Sequence, residues 1–161
     1  VDQAYAEANP DRIKWLWGKF EKQDYAFDDP GKAAGAEIFL RAIYDRQSEC
    51  YQYGDKGYVV LTSIVQPVNA IIHFMIWDDF ELSDVVDAAT EILDHVFLDL
   101  KLERLTAAIP AGNRQAIRLA TLNRFRYEGE MKRAFLKNGS FSNVQIYGLL
   151  REDYVRRGVK N

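Results

Sequence analysis

The chain has 161 residues, 21 Lys and Arg against 24 Asp and Glu, and 48% hydrophobic residues, enough apolar material for one domain to bury a core without disulfide or metal staples. A pI near 5.4, with no basic segment interleaved with aromatics, argues against specific nucleic-acid binding. No apolar run approaches the ~20 residues that cross a bilayer, and the polar start from Val1 to Asp11 is unlike a signal peptide.

One domain over residues 1–161, soluble and cytoplasmic, is therefore expected. Cys50 is the only cysteine, which excludes an internal disulfide and a cysteine metal site and leaves it as a buried small hydrophobe. Charge is spread unevenly. Residues 1–100 hold 8 Lys and Arg against 19 Asp and Glu, and residues 101–161 hold 13 against 5. Either the two halves interleave and offset each other, or a basic face meets an anionic partner.

In chain order, a short strand is expected near Gln3 to Ala8. Asn9-Pro10-Asp11 then supplies a turn and N-cap, and Ile13, Leu16, Trp17 and Phe20 recur at helical spacing. After Asp28-Asp29-Pro30-Gly31, the residues Ala34, Ile38, Phe39, Ala42 and Ile43 mark a second helix to about Arg46. Glu49 to Tyr53, Tyr58 to Val65 and Ala70 to Trp77 read as an antiparallel meander, since both connecting segments are short and turn-like. A third helix spans Asp84 to Leu100, with Val85, Ala88, Ala89, Ile92, Leu93, Val96 and Phe97 inward. Leu102 to Ile109 is a strand, and Ala111-Gly112-Asn113 opens a fourth helix whose apolar residues are Ala116, Ile117, Leu119, Ala120 and Leu122. Tyr127 to Phe135 and Ser142 to Leu150 form a hairpin around Asn138-Gly139.

This order, β-α-α-β-β-β-α-β-α-β-β, resembles the GCN5-related N-acetyltransferases: an α/β (α+β) class with a mixed central sheet of six to seven strands flanked by four helices. Leu102-Glu103-Arg104-Leu105, Asn113-Arg114-Gln115-Ala116-Ile117-Arg118-Leu119, Phe125, Glu128-Gly129, Asn138-Gly139 and Tyr147-Gly148-Leu149-Leu150-Arg151-Glu152-Asp153-Tyr154 are similar to the ribosomal-protein-acetyltransferase-like branch.

The resemblance implies an acetyl-CoA or other acyl-CoA site between the fourth and fifth strands, with Met75, Ile76, Trp77, Ser83 and Asn113 against the cofactor. The family's glycine-rich pyrophosphate loop aligns with Phe80-Glu81-Leu82-Ser83-Asp84-Val85, where both glycines and the basic residue are absent. Glu81 and Asp84, with Ser83 as N-cap, complement a helix N-terminus by ~0.3–1 kcal/mol. The same carboxylates would each oppose a pyrophosphate at ~4 Å by about 4 kcal/mol at an effective dielectric near 20. The family's helix-borne tyrosine aligns with Ala120, and the usual glycine before Phe125 is Arg124.

Amine acylation needs a group that takes the ammonium proton. His73 on the cofactor-adjacent strand and Glu49 are the candidates, with Glu37 and His95 as further titratable groups. No metal-ligand spacing or nucleophile elbow occurs. Two readings stand: a divergent acyl-CoA-dependent N-acetyltransferase acting on a protein or small-molecule amine, with little or no acetyl-CoA turnover, or a cofactor-free, non-catalytic module of the same fold, such as a phage virion or assembly component. A homodimer or an assembly partner suits either.

Overall fold

A computed structural model describes residues 2–3, 10–36, 47–54, 57–76 and 82–158. Within these, seven strands form one mixed sheet in the order β1-β2-β3-β4-β5-β7-β6. The strands are β1 (Asp2–Gln3), β2 (Glu49–Tyr53), β3 (Gly57–Val65), β4 (Asn69–Ile76), β5 (Arg104–Pro110), β6 (Arg126–Lys137) and β7 (Ser140–Leu150). All neighbours are antiparallel except β4 and β5. The helices are α1 (Pro10–Phe20), α2 (Asp29–Ala34), α3 (Leu82–Asp94) with a π-turn (His95–Asp99), α4 (Arg114–Leu122) and α5 (Arg151–Gly158). The expected α/β class and mixed sheet are thus present. The second helix predicted through Arg46 lies beyond Gly35 almost wholly outside the described residues, as do Glu37 and Trp77.

Period-two alternation sends the strands' side chains to two faces, and each face packs on different helices. On one, Val59, Leu61, Ala70, Leu105, Ala107, Tyr147 and Leu149 join Ile92, Leu93, Val96, Phe97 and Ala120 from α3, its π-turn and α4. On the other, Tyr58 and Met75 meet Leu16, Phe20 and Trp17 of α1, with Phe27 beside them. All seven apolar residues expected inward on α3 are buried. Cys50 is buried too, and desolvation pushes its thiol up to about 12, so it behaves as a small hydrophobe.

Three features depart from the expected pattern. Residues 95–99 wind more loosely than an α-helix: Leu100 N–H donates to His95 C=O at 2.9 Å and Leu102 N–H to Val96 C=O at 3.1 Å, so Val96, Phe97 and Leu102 all enter the core. A fifth helix follows β7, too charged to be legible by periodicity because Tyr154 alone packs against the core. Leu122 faces solvent at the end of α4. The Asn138-Gly139 turn forms as expected, with φ of 51° and 72° joining Lys137 to Ser140, the backbone signs that a tight hairpin requires. Among the described residues no helix is long and apolar enough to cross a membrane.

Helix α4 ends in a cap that this sequence makes at a cost. Arg124 has φ 65°, while Phe125 N–H donates to Ala120 C=O at 3.0 Å and Asn123 N–H to Leu119 C=O at 3.1 Å. A side chain in this left-handed region costs ~1–2 kcal/mol, partly offset by the greater unfolded-chain entropy of glycine. Arg124→Gly is therefore expected to raise stability by about 0.5–1 kcal/mol, read as a higher urea midpoint at unchanged slope.

Candidate functional site

The site begins where two parallel strands part. β4 pairs with β5 over three positions, Asn69 with Arg104, Ala70 with Leu105 and Ile71 with Thr106. Beyond them β4 continues to Ile76 on β3 alone, and β5 continues to Pro110 on β7 alone. The β5-side edge of residues 72–76 and the β4-side edge of residues 107–110 thus face each other across a cleft without a ladder. Unmade backbone bonds are costly when water is excluded, typically by ~1–3 kcal/mol per group. An extended molecule bearing amides can occupy such a cleft as an added strand does.

The strand alternation decides which side chains border this cleft. Ile72 and Phe74 turn to the α3 face, whereas Met75 turns to α1, and His73 shares Met75's face. His73 lies opposite Val60 in the register, and its Nε2 is 3.0 Å from Thr62 Oγ1. The residue is exposed at the sheet surface, yet desolvation of the ring lowers its pKa below the ordinary 6.5. The imidazole therefore stays neutral near pH 7 and holds a lone pair. The unfolded chain takes up this proton first as pH falls, so His73's effect on stability should be flat above about 6.5, grow more unfavourable as pH falls toward its folded pKa, and stay at that full penalty below it. His73→Gln should flatten that acid-side slope relative to wild type in urea titrations across this range.

On the same face a polar chain closes the narrow end of the cleft. Arg104 donates through Nη1 to Glu128 Oε1 at 2.8 Å and through Nη2 to Glu128 Oε2. Its Nε–H donates to Thr106 Oγ1 at 3.0 Å, and Thr106 O–H donates to Asn69 Oδ1 at 2.9 Å. The pairing raises the Arg104 pKa and lowers that of Glu128. Gly148 of β7 lies beneath the ion pair, where a Cβ would stand 2.7 Å from Arg104 Nη2 and closer still to Glu128 Oε1.

The first residue of α2 and the segment leading to it are tied to the β6-β7 hairpin. Asp29 accepts from Asn138 N–H and Gly139 N–H, both at 2.9 Å, and these two bonds lower its pKa. Lys137 Nζ is 4.0 Å from the Tyr25 ring centroid and 3.3 Å from Asp24. At this contact the acidic and basic halves of the chain offset each other within one molecule.

Glu49 stands elsewhere. It shares its face with Tyr51 and with the α3 side of the core, opposite to His73, so the two candidate bases do not converge. Glu49 Oε2 accepts from Tyr51 O–H, and His95 Nε2 is 2.7 Å from the Tyr51 oxygen and 3.2 Å from Glu49 Oε2. His95 Nδ1 faces Asp99 Oδ2 at 3.1 Å. Glu49 also lines an open cavity of about 310 Å³, together with Gln47, Ile64 and Gln66. Residues 44 and 46 apart in sequence meet here only because β2 and the π-turn are brought together, and no spacing signalled it.

Met75 and Ile76 are the last two residues of β4. Asn113 is the N-cap of α4, its Oδ1 accepting from Ala116 N–H at 3.1 Å. Ala120 is buried in the main core, with no hydroxyl to offer. Leu82 to Asp84 form the first turn of α3, whereas Phe80 and Glu81 fall outside the described residues. Among the described residues, no three metal-ligating side chains are grouped to hold an ion.

A mixed seven-stranded sheet with α1 on one face, α3 and α4 on the other, and a parallel pair that splays after three residues is the fold of the GCN5-related N-acetyltransferases. Solved structures agree. A chimera of spermidine N-acetyltransferase SpeG from Vibrio cholerae with hSSAT superposes at TM-score 0.76 with 18% identity, over 92% of this chain and 95% of that one. The SpeG complex with CoA and spermine superposes at 0.73 with 18% identity, over 91% and 94% of the two chains. A probable acetyltransferase superposes at 0.70 with 18% identity, over 90% and 91%. No protein-family model and no curated protein matches the chain.

Proposed function

We propose that the chain is a divergent acyl-CoA-dependent N-acetyltransferase that acts on an amine of a protein or small molecule and holds its cofactor weakly. The observation carrying this reading is the parting of β4 from β5 after Ile71 and Thr106. The unpaired strand edges suit the amides of a pantetheine arm, with Met75 and Ile76 at the end of β4, Trp77 next in sequence, and Ser83 and Asn113 at the starts of the helices that follow. Bound there, acyl-CoA would supply an activated thioester.

The chain's own part is to orient the amine and take its proton. If His73 Nε2–H donates to Thr62, the Nδ1 lone pair is left to accept that proton directly or through water. Its lowered pKa keeps this form populated at neutral pH. SpeG binds spermine in the complex, which makes alkylamines the first acceptors to assay. The weak cofactor grip follows from the sequence of the loop, where Ser83 and Val85 stand in place of the glycines and Glu81 and Asp84 add negative charge beside them.

A second reading, a non-catalytic binding or assembly module, draws on Ala120: α4 carries no hydroxyl at the position where relatives have a tyrosine, and the alanine is sealed in the core. Titration with CoA and acetyl-CoA separates the two. The first reading expects saturable heat and a stability gain of about 2.7 kcal/mol once ligand exceeds the dissociation constant ~100-fold. No heat and no shift at millimolar ligand would reject it in favour of the module.

A further inference from the structure

We propose that Glu128, Arg104, Thr106 and Asn69 form a positioning chain that sets where β4 and β5 part, and thereby the width of the cleft. Its ligand consequence rests on the acyl-CoA reading; its mechanical consequence does not.

The parallel ladder is only three pairs long, and its two faces are held by different forces. On the α3 face, Ala70 and Leu105 are fully buried in the main core. This packing is non-directional and tolerates a small shift of one strand along or away from the other. On the opposite face the hydrogen bonds run in a single sense: Arg104 donates to both Glu128 oxygens and to Thr106, and Thr106 passes its own proton to Asn69. Thr106 is thus acceptor toward Arg104 and donor toward Asn69, so its hydroxyl rotor has one orientation that satisfies both neighbours.

The chain extends from β6 over β7 to β5 and on to β4. It fastens Asn69, the first residue of β4, to the long β6-β7 hairpin through Thr106, the last residue of β5 paired to β4. Gly148 is required for that crossing, because any side chain on β7 there would occupy the space of the ion pair. A guanidinium fork gripped by both carboxylate oxygens cannot swivel as a lysine would, so it offers Thr106 a fixed donor. The geometry points to a brace that stops the wedge from opening further toward Asn69 and from zipping shut toward Ile76.

The test is local amide exchange on the unliganded full chain, with a CoA titration alongside. Thr106→Val keeps shape and strand propensity but removes both bonds, and Thr106→Ser restores them. In the valine variant, exchange at Ala70, Ile71, Leu105 and Thr106 or its replacement should quicken about tenfold, the factor worth one hydrogen bond. Exchange at Val59 to Leu61 should not change. CoA affinity should weaken by a similar factor, and serine should return both to wild type. Equal exchange and equal affinity in wild type and valine variant would overturn the proposal, as would failure of serine to restore either. If the valine variant does not fold, Glu128→Gln, which loses the two-oxygen grip, gives the same comparison. Absence of CoA binding to wild type would sink the acyl-CoA reading, and exchange alone would then decide the brace.

Discussion

Phe97→Ala is expected to destabilise the chain by about 3–5 kcal/mol, the range for emptying a large buried aromatic site. Phe97 is fully buried, it sits in the π-turn, and its ring stacks on Tyr154 at 5.1 Å with an interplanar angle of 28°. Tyr154 in turn donates to Asp94 at 2.7 Å. The π-turn's loose winding is what aims Phe97 at α5, so its surroundings cannot collapse without unwinding the end of α3. Urea unfolding measures the loss, and faster tryptic cleavage within α5 should accompany it. Phe97→Leu, which keeps most of the volume, should cost far less. Equal costs for the two variants would show that cavity formation is not the cause.

Gly148→Ala is expected to cost about 1–3 kcal/mol, the range for overpacking. One methyl group is added, and it meets Glu128 Oε1 and Arg104 Nη2 inside contact distance. The pair is partly exposed, so losing the ion pair itself counts for little; the cost lies in displacing side chains that also hold Thr106 and Asn69. A double-mutant cycle isolates this. In a Glu128→Ala background the Gly148→Ala change should lose much of its penalty. Additive costs would place the strain in the β7 backbone instead.

Some residues announced their place because their signal is periodic or local. The apolar spacing of α3 and its π-turn identified seven buried positions, and the short turn-like connections between β2, β3 and β4 marked a meander. Asn138-Gly139 named its own turn through the positive φ that these residues tolerate, and Asn113 announced a cap. Helix α5 and the π-turn escaped. The first is anchored by one aromatic residue, and the second departs from helical geometry only so that Phe97 can reach that residue. His73 was legible as a strand residue facing away from Ile72 and Phe74, but the desolvation that lowers its pKa arises only in the folded sheet.

The brace shows the division most sharply. Arg104, Glu128 and Gly148 are ordinary strand residues in sequence, with nothing to say that they touch. They meet because β7 inserts between β5 and β6 and because alternation turns Asn69, Arg104 and Thr106 to one face. The same holds for Glu49, Tyr51, His95 and Asp99. The amino-acid order by itself determined most of the elements and their inward faces, since these follow from short-range spacing and propensity, and the class of fold followed from the resemblance that their order carries. Which strands pair beyond the local meander and hairpin, and so how far β4 stays with β5 and which polar groups gather there, was decided by the tertiary structure, because register across a sheet is a contest among long-range pairings that no local pattern encodes.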